Sequence, residues 1–336
     1  MAYISFQPKD LFQTTLYTGN ASARTITTGM QPDWVWTKAR NAAHHHVSTD
    51  SVTGAGKRLR PSTNNAQDVS GASVASFVST GYTLTDNSTI NGNTETNVSW
   101  SWKMGTTSGL SGGTITPSSY SINAAAGMGV YQTTGTGSAG TIAHGLGKAP
   151  EFIISKRMSH TGSWVVYHEA MGNANEMYLD ATDGQSSASA TWNSTTPTST
   201  VWSVGNDQNN TSGYTIVSFA FAPIKGFSKF GSYTGSGGQN FIYTGFKPAW
   251  LLMKSLGAGT QWILIDNKRG YNGSNELLYP DSSEVAGSAE VVDLVSNGFV
   301  QRSAGGGNNQ NAVNYVYMAF AEEPFVASNG NAATAR

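Results

Sequence analysis

Three acids, three lysines and a run of histidines are the residues whose types and spacing could do chemistry. Asp50, Glu169 and Asp266 each close a short apolar segment: Val47 to Asp50, Trp164 to Glu169, and Trp262 to Asp266. A recurring carboxylate can bind a sugar or act in catalysis. It can also end a strand as a turn residue that accepts backbone N–H bonds. Repetition in tandem copies favours the turn role. Glycoside hydrolysis needs two carboxylates roughly 5–10 Å apart. Glu176 and Asp180 follow Glu169, and Glu276 follows Asp266, but spacing alone pairs none of them. The expectation is a chain that is not an enzyme, with no catalytic residue to name.

Lys38, Lys156 and Lys254 each stand four residues after an aromatic: Trp34, Phe152 and Trp250. Even spacing puts lysine and aromatic on one strand face. If that face is core, each ammonium needs a carboxylate or carbonyl partner. The repeated acid is the obvious candidate, so a structural Lys–Asp or Lys–Glu pair is expected. His44-His45-His46 lies inside the chain. On a strand, at most His44 and His46 would share a face and so a metal. A symmetric trimer could bring three copies of the run together on an axis and make a metal site there. An exposed polar loop is the simpler expectation, with no metal and no cofactor. Trp192, Trp202, Tyr214, Tyr271 and Tyr279 lie near Asn/Gly/Ser-rich loops. Aromatics beside short polar groups suit glycan or partner binding, a flat ring for the sugar and amides for its hydroxyls. Their other reading is core packing and subunit contacts.

The elements that hold these residues repeat. Thr25 to Lys38, Thr141 to Lys156 and Tyr243 to Lys254 share a glycine (Gly29, Gly145, Gly245), then a proline (Pro32, Pro150, Pro248), an aromatic two residues on, and the lysine. The prolines are roughly 100 residues apart, the size of a small domain. Closing strands are legible at Val98 to Trp102, Ile216 to Phe221 and Tyr315 to Phe320. Large and small residues alternate in Val98 to Trp102, the period of a strand with one face on a core. Short strands between Gly/Asn/Ser turns predict an all-β chain of three tandem β-sandwich domains, jelly-roll or lectin-like. The expected divisions are an apolar arm at 1–15, then domains at 16–105, 106–226 and 227–336, the last with a short polar tail. The strands Phe152 to Lys156 and Tyr315 to Phe320 carry little charge. Read as edges, they would need covering, which predicts a homo-oligomer.

Composition narrows the classes. The chain has 336 residues, 39 glycines, 14 Tyr, 13 Phe, 9 Trp and only 12% charged residues, as expected for strands and turns rather than long amphipathic helices. A net charge of −1 gives no electrostatic footprint for nucleic acid. Absence of Cys excludes disulfides and thiolate chemistry. No run approaches the roughly 20 apolar residues of a membrane helix, and MAYISFQPKD has no basic region followed by an apolar core. Neither membrane insertion nor a secretory signal is expected.

Several strings resemble a family of bacteriophage virion proteins, many from marine phages, built of tandem β domains. They are Tyr233-Thr234-Gly235, Gly245, Pro248 and Trp250, Asp266 to Gly270 (DNKRG), and Met318 to Phe325 (MAFAEEPF). The middle domain matches through His144 to Pro150 and Trp164 to His168. The first matches through Gly81 to Leu84 and Val98 to Lys103, departing where Thr53 replaces the usual arginine before Gly54. The resemblance implies a tail-fibre or tail-tip component of the virion, contacting other virion proteins and the host surface, with a host surface glycan as one candidate contact; since such parts are usually threefold, it also implies that the expected homo-oligomer is a trimer. The alternatives are a capsid decoration protein or head fibre, a lectin-like carbohydrate-binding module, and a polysaccharide depolymerase, for which long parallel β-helix repeats are absent.

Overall fold

Each repeat begins with a glycine that only glycine geometry serves. Gly29, Gly145 and Gly245 have φ of 78°, 64° and 87°, the left-handed region that a Cβ disfavours. The chain then turns through the proline and enters a strand at the aromatic: Trp34–Ala39, Phe152–Arg157 and Trp250–Ser255. We call these the proline strands. The computed structural model describes residues 4–257, 259–270 and 272–323. Tyr271, the Pro324-Phe325 end of the MAFAEEPF string and the polar tail lie outside them.

The chain is all-β, and the same antiparallel sheet is built three times. An opening strand (Phe12–Thr18, Met128–Thr134, Ser228–Thr234) pairs with a closing strand (Thr96–Trp102, Thr215–Phe221, Asn314–Phe320). The closing strand pairs with the proline strand, which pairs with a hairpin partner (Val47–Asp50, Val165–His168, Ile263–Asp266). Register matches as well as order. Trp34 faces Asp50 and Trp102, Phe152 faces His168 and Phe221, and Trp250 faces Asp266 and Phe320. The middle sheet is extended at both edges, by Ser119–Asn123 and by Asn175–Tyr178. A smaller outer sheet covers one face of each main sheet. Its strands are Arg24–Thr27, Gly81–Leu84 and Val74–Val78 in unit 1, and Gly140–Ala143 with Val201–Val204 in unit 2. In unit 3 they are Asn240–Tyr243, Gly298–Gln301 and Val292–Val295.

The other face of each main sheet turns to the other two units. Odd and even residues of one strand therefore enter different cores. Trp34, Trp36, Phe152, Ile154, Trp250 and Leu252 join one cluster with residues from all three closing strands. Val35, Ile153 and Leu251 join three separate clusters, one under each outer sheet. The middle of the shared cluster is aromatic: Trp34 stacks on Trp102 at 4.2 Å between ring centroids and lies 4.4 Å from Phe219 of unit 2, while Trp102 meets Trp250 of unit 3 edge-on at 5.6 Å.

This arrangement corrects three sequence expectations. The closing strands are buried on both faces, not one: Ser99 and Ser101, the small residues of the alternation, are as inaccessible as Trp100. The strands Phe152–Arg157 and Asn314–Phe320 are inner strands with partners on both sides, so the edges invoked for an oligomer lie elsewhere. The first unit begins earlier than expected, because its opening strand starts at Phe12, inside the 1–15 stretch expected to be an arm. The arm and the start of this strand close one end of the shared core, with Phe6 edge-on to Phe227 and Phe12 packed on Trp102, Trp250 and Phe320.

Candidate functional site

The three units meet at three junctions, and two of them are alike. At each, a backbone N–H from the outer loop of one unit donates to the carbonyl just past another unit's proline strand. Gln67 donates to Met158 at 2.8 Å, Gln185 to Leu256 at 3.0 Å, and Ala286 to Arg40 at 2.7 Å. Unit 2 thus leans on unit 1, unit 3 on unit 2, and unit 1 on unit 3, a closed cycle of heterologous contacts. Indole N–H groups repeat it. Trp164 donates to the Arg60 carbonyl at 3.0 Å and Trp262 to the Tyr178 carbonyl at 2.8 Å. The equivalent residue of unit 1 is His46, whose ring lies against the Tyr279 backbone with Nε2 short of a well-formed hydrogen bond.

The first two junctions are closed a second time, by Gly162 N–H to the Asn64 carbonyl and Gly259 N–H to the Thr182 carbonyl. At the third, the position of Gly162 falls on His44, whose N–H turns back to the Ala42 carbonyl. Met158 and Leu256 pack against the shared core, and in their place stands Arg40. Its guanidinium grips Glu276 of unit 3 through Nε and Nη2, at 2.6 and 2.5 Å. This bidentate pairing raises the Arg40 pKa above its ordinary value. A cleft of about 630 Å3 opens here, lined by Arg40, Asn41, Thr96, Arg269, Glu276 and Ser288 among others.

Arg269 is among the residues that line this cleft, and its side chain is fully buried. Asp266 fixes it. One carboxylate oxygen accepts the N–H groups of Lys268 and Arg269 at 3.0 and 3.1 Å; the other accepts Arg269 Nε at 2.6 Å and the indole N–H of Trp100, from unit 1, at 2.9 Å. The guanidinium carbon lies 5.4 Å from the Trp100 ring centroid. Nη2 reaches the Leu264 carbonyl at 3.4 Å, while the buried Nη1 has no hydrogen-bond partner. Burial of a charged group with an unused donor is costly unless a ligand or water takes it.

The candidates read from sequence fall mostly elsewhere. Asp50 and Asp266 are turn residues: Asp50 accepts from Val52 N, Thr53 N and Thr53 Oγ1. Burial lifts the Asp50 pKa to about 6. Glu169 is not their counterpart. The pairing register gives that place to His168, whose Nδ1 accepts from Ala170 N, and Glu169 sits on an exposed turn one residue on. Glu176 does not pair with Glu169; it meets the Tyr178 hydroxyl and, at 2.7 Å, Thr191 Oγ1, which also contacts Asp207 at 2.8 Å. Asp180 caps Trp164 N.

The lysines are buried, but the expected pairs with the repeated acids do not form. Lys38 Nζ donates to the Ala39 and Ala42 carbonyls. Lys156 donates to the carbonyls of Arg157 and, across the junction, Asn64. Lys254 donates to those of Thr260 and, across the junction, Thr182. Carbonyl oxygens are the available partners because Asp50 and Asp266 are already turned onto their own loops. Desolvation lowers all three lysine pKa values to about 8.

Trp192 and Trp202, the latter on an outer-sheet strand, are buried in the core of unit 2 between its sheets, each 1% exposed, so neither can stack on a sugar. Their flat rings fill that small core. Tyr279 is half-buried behind Gly287, a residue of the cleft wall, and does not itself line the cleft. Tyr214 stacks on His160 at 3.6 Å with Arg157 over it. The three histidines of the run diverge: His44 meets Glu95, His45 meets Ser62, and buried His46 accepts the Trp36 indole N–H at 2.9 Å. Among the described residues no group of three or more His, Asp or Glu is placed to hold a metal, and no helix is long and apolar enough to cross a membrane.

The sequence reading missed Arg40, Asn41 and Thr96. One signal for Arg40 was present: it stands two residues after the repeated lysine, where the other copies have Met158 and Leu256. A family model described as a domain of unknown function (DUF7483) matches residues 7–324, and the chain belongs to that family. No curated protein and no solved structure matches it.

Proposed function

We propose that this member of the DUF7483 family is a non-enzymatic structural part of a bacteriophage particle: a tail-fibre or tail-tip component that docks on other virion proteins and touches the host surface. The observation that carries this reading is the shared core. Three sheets closed around one aromatic cluster make a single rigid block from one chain, and a rigid block with three outward-facing sandwiches suits a connector. The virion-like strings of the sequence support the same reading. So does the way the candidate acids Asp50, Asp266 and Glu176 are spent on turns and packing, while Glu276, which lines the cleft, is taken up by Arg40. Threefold geometry, which a fibre commonly builds from three chains, is supplied here within one. The assembling unit in this reading is therefore a single chain.

A capsid decoration protein or head fibre would share the fold and differ in where it docks. Antibody raised against the purified chain, gold-labelled and imaged on intact particles of the phage that encodes it, decides between them. Label on the tail is the expected result. Label on the head shell moves the assignment to decoration. No label, together with absence of the chain from the protein content of purified particles, overturns the virion reading.

A further inference from the structure

We infer that the cleft between units 1 and 3 binds a neutral, hydroxyl-rich ligand, a pyranose residue of a glycan. The inference deepens the surface-contact half of the proposed function and rests on a different observation: the break in internal symmetry. Two junctions are closed by paired backbone bonds and apolar side chains at Met158 and Leu256. A purely structural role would be served by closing the third in the same way. Instead, Arg40 replaces the apolar residue, the second backbone bond is missing from its place, and a cleft opens. Arg269 of the same cleft stands where the other two units have Thr53 and Met171, the residues three after Asp50 and His168.

The chemistry of the walls selects the ligand. Both arginines are already neutralised, Arg40 by Glu276 and Arg269 by Asp266. An added carboxylate would be a third anion against two cations. A hydroxyl fits better, because it accepts from a guanidinium and donates to a carboxylate at once. Arg40 and Glu276, both partly exposed on the cleft wall, offer the donor and the acceptor, with the charge of Arg269 buried behind them. Asn41, Thr96 and Ser288 add short polar groups around them. The volume, about 630 Å3, lies within the range of small-molecule sites.

The test uses the full chain and a panel of methyl pyranosides and neutral disaccharides, with the matching uronic acids alongside, read by saturation-transfer NMR and titration. At least one neutral sugar is expected to bind. Arg40→Met, which installs the residue of a closed junction, should weaken it about tenfold or more, the loss expected for a charge-assisted hydrogen bond. Ser288→Phe leaves the ion pairs intact and fills the cleft mouth, so it should abolish binding even if Arg40→Met proves unstable. No neutral sugar binding at millimolar concentration, tighter binding of the uronic acids, or binding that survives Ser288→Phe overturns the assignment. Failure here leaves the particle labelling result untouched, and absence from particles leaves the sugar titration untouched.

Discussion

Lys38, Lys156 and Lys254 put three ammonium groups into the interior with carbonyl oxygens as partners, and this sets how stability responds to pH. An unfolded lysine keeps its proton up to its ordinary value of 10.5, while each folded one loses it near 8. Between those values the unfolded chain binds more protons, so stability rises with pH through that window. Above about 10 the buried tyrosines reverse the trend: Tyr131, Tyr233 and Tyr317 have raised pKa values from desolvation, so the unfolded chain ionises first. Urea midpoints should therefore climb from pH 8 towards pH 10 and then fall. Lys156→Met should flatten the climb; an unchanged slope would refute the account. The position of these lysines on an inward face was legible from even spacing. Their partners were not, because they come from loops of another unit. The exchange of Glu169 for His168 has a related cause: residue type points to an acid, while the turn needs only an acceptor, which His168 Nδ1 supplies. Another repeated residue went unseen. Asn91, Asn210 and Asn309 are buried and cap the turn after each opening strand, but their loops differ too much in sequence to align by eye.

At the scale of elements, the junction bonds decide which parts open together. Amides of Gln67 and Gln185 sit beside a second inter-unit bond, at Gly162 and Gly259, whereas the Ala286 amide sits beside a cleft. Native-state hydrogen exchange should find Ala286 exchanging faster than the other two by the free-energy difference between local and wider opening. Equal protection at all three would mean that the third junction is as firmly closed as the others. Strand positions were readable from sequence because Gly-x-x-Pro turns and apolar runs are local signals. The repeated Gly19, Gly135 and Gly235 show another local constraint: a Cβ at each would lie 2.2, 2.1 and 2.2 Å from a carbonyl oxygen across the loop. Which of two cores a strand face enters is a tertiary fact, and alternation alone leaves it open.

For the whole molecule, the shared cluster makes the units interdependent. Trp34, Phe152 and Trp250 were legible as buried residues, but they are buried by their neighbours rather than by their own outer sheets. A unit alone would expose the aromatic face of its main sheet to water, a patch far beyond what a stable monomer carries. Thermal unfolding should therefore show one transition in which calorimetric and van't Hoff enthalpies agree. Trp34→Ala should lower stability by about 3–5 kcal/mol without splitting that transition. Two or three separable transitions, or a soluble and folded fragment 227–323, would show that the sandwiches stand on their own. The same closure bears on assembly. The uncharged strands that argued for a homo-oligomer are inner strands, and the apolar arm around Phe6 and Phe12 is occupied by Phe227, Trp250 and Phe320 of its own chain. Light scattering at micromolar concentration should accordingly give a mass near 35.4 kDa. A mass three times larger would mean that surfaces outside the shared core drive self-association, and would return the threefold axis to an assembly of chains.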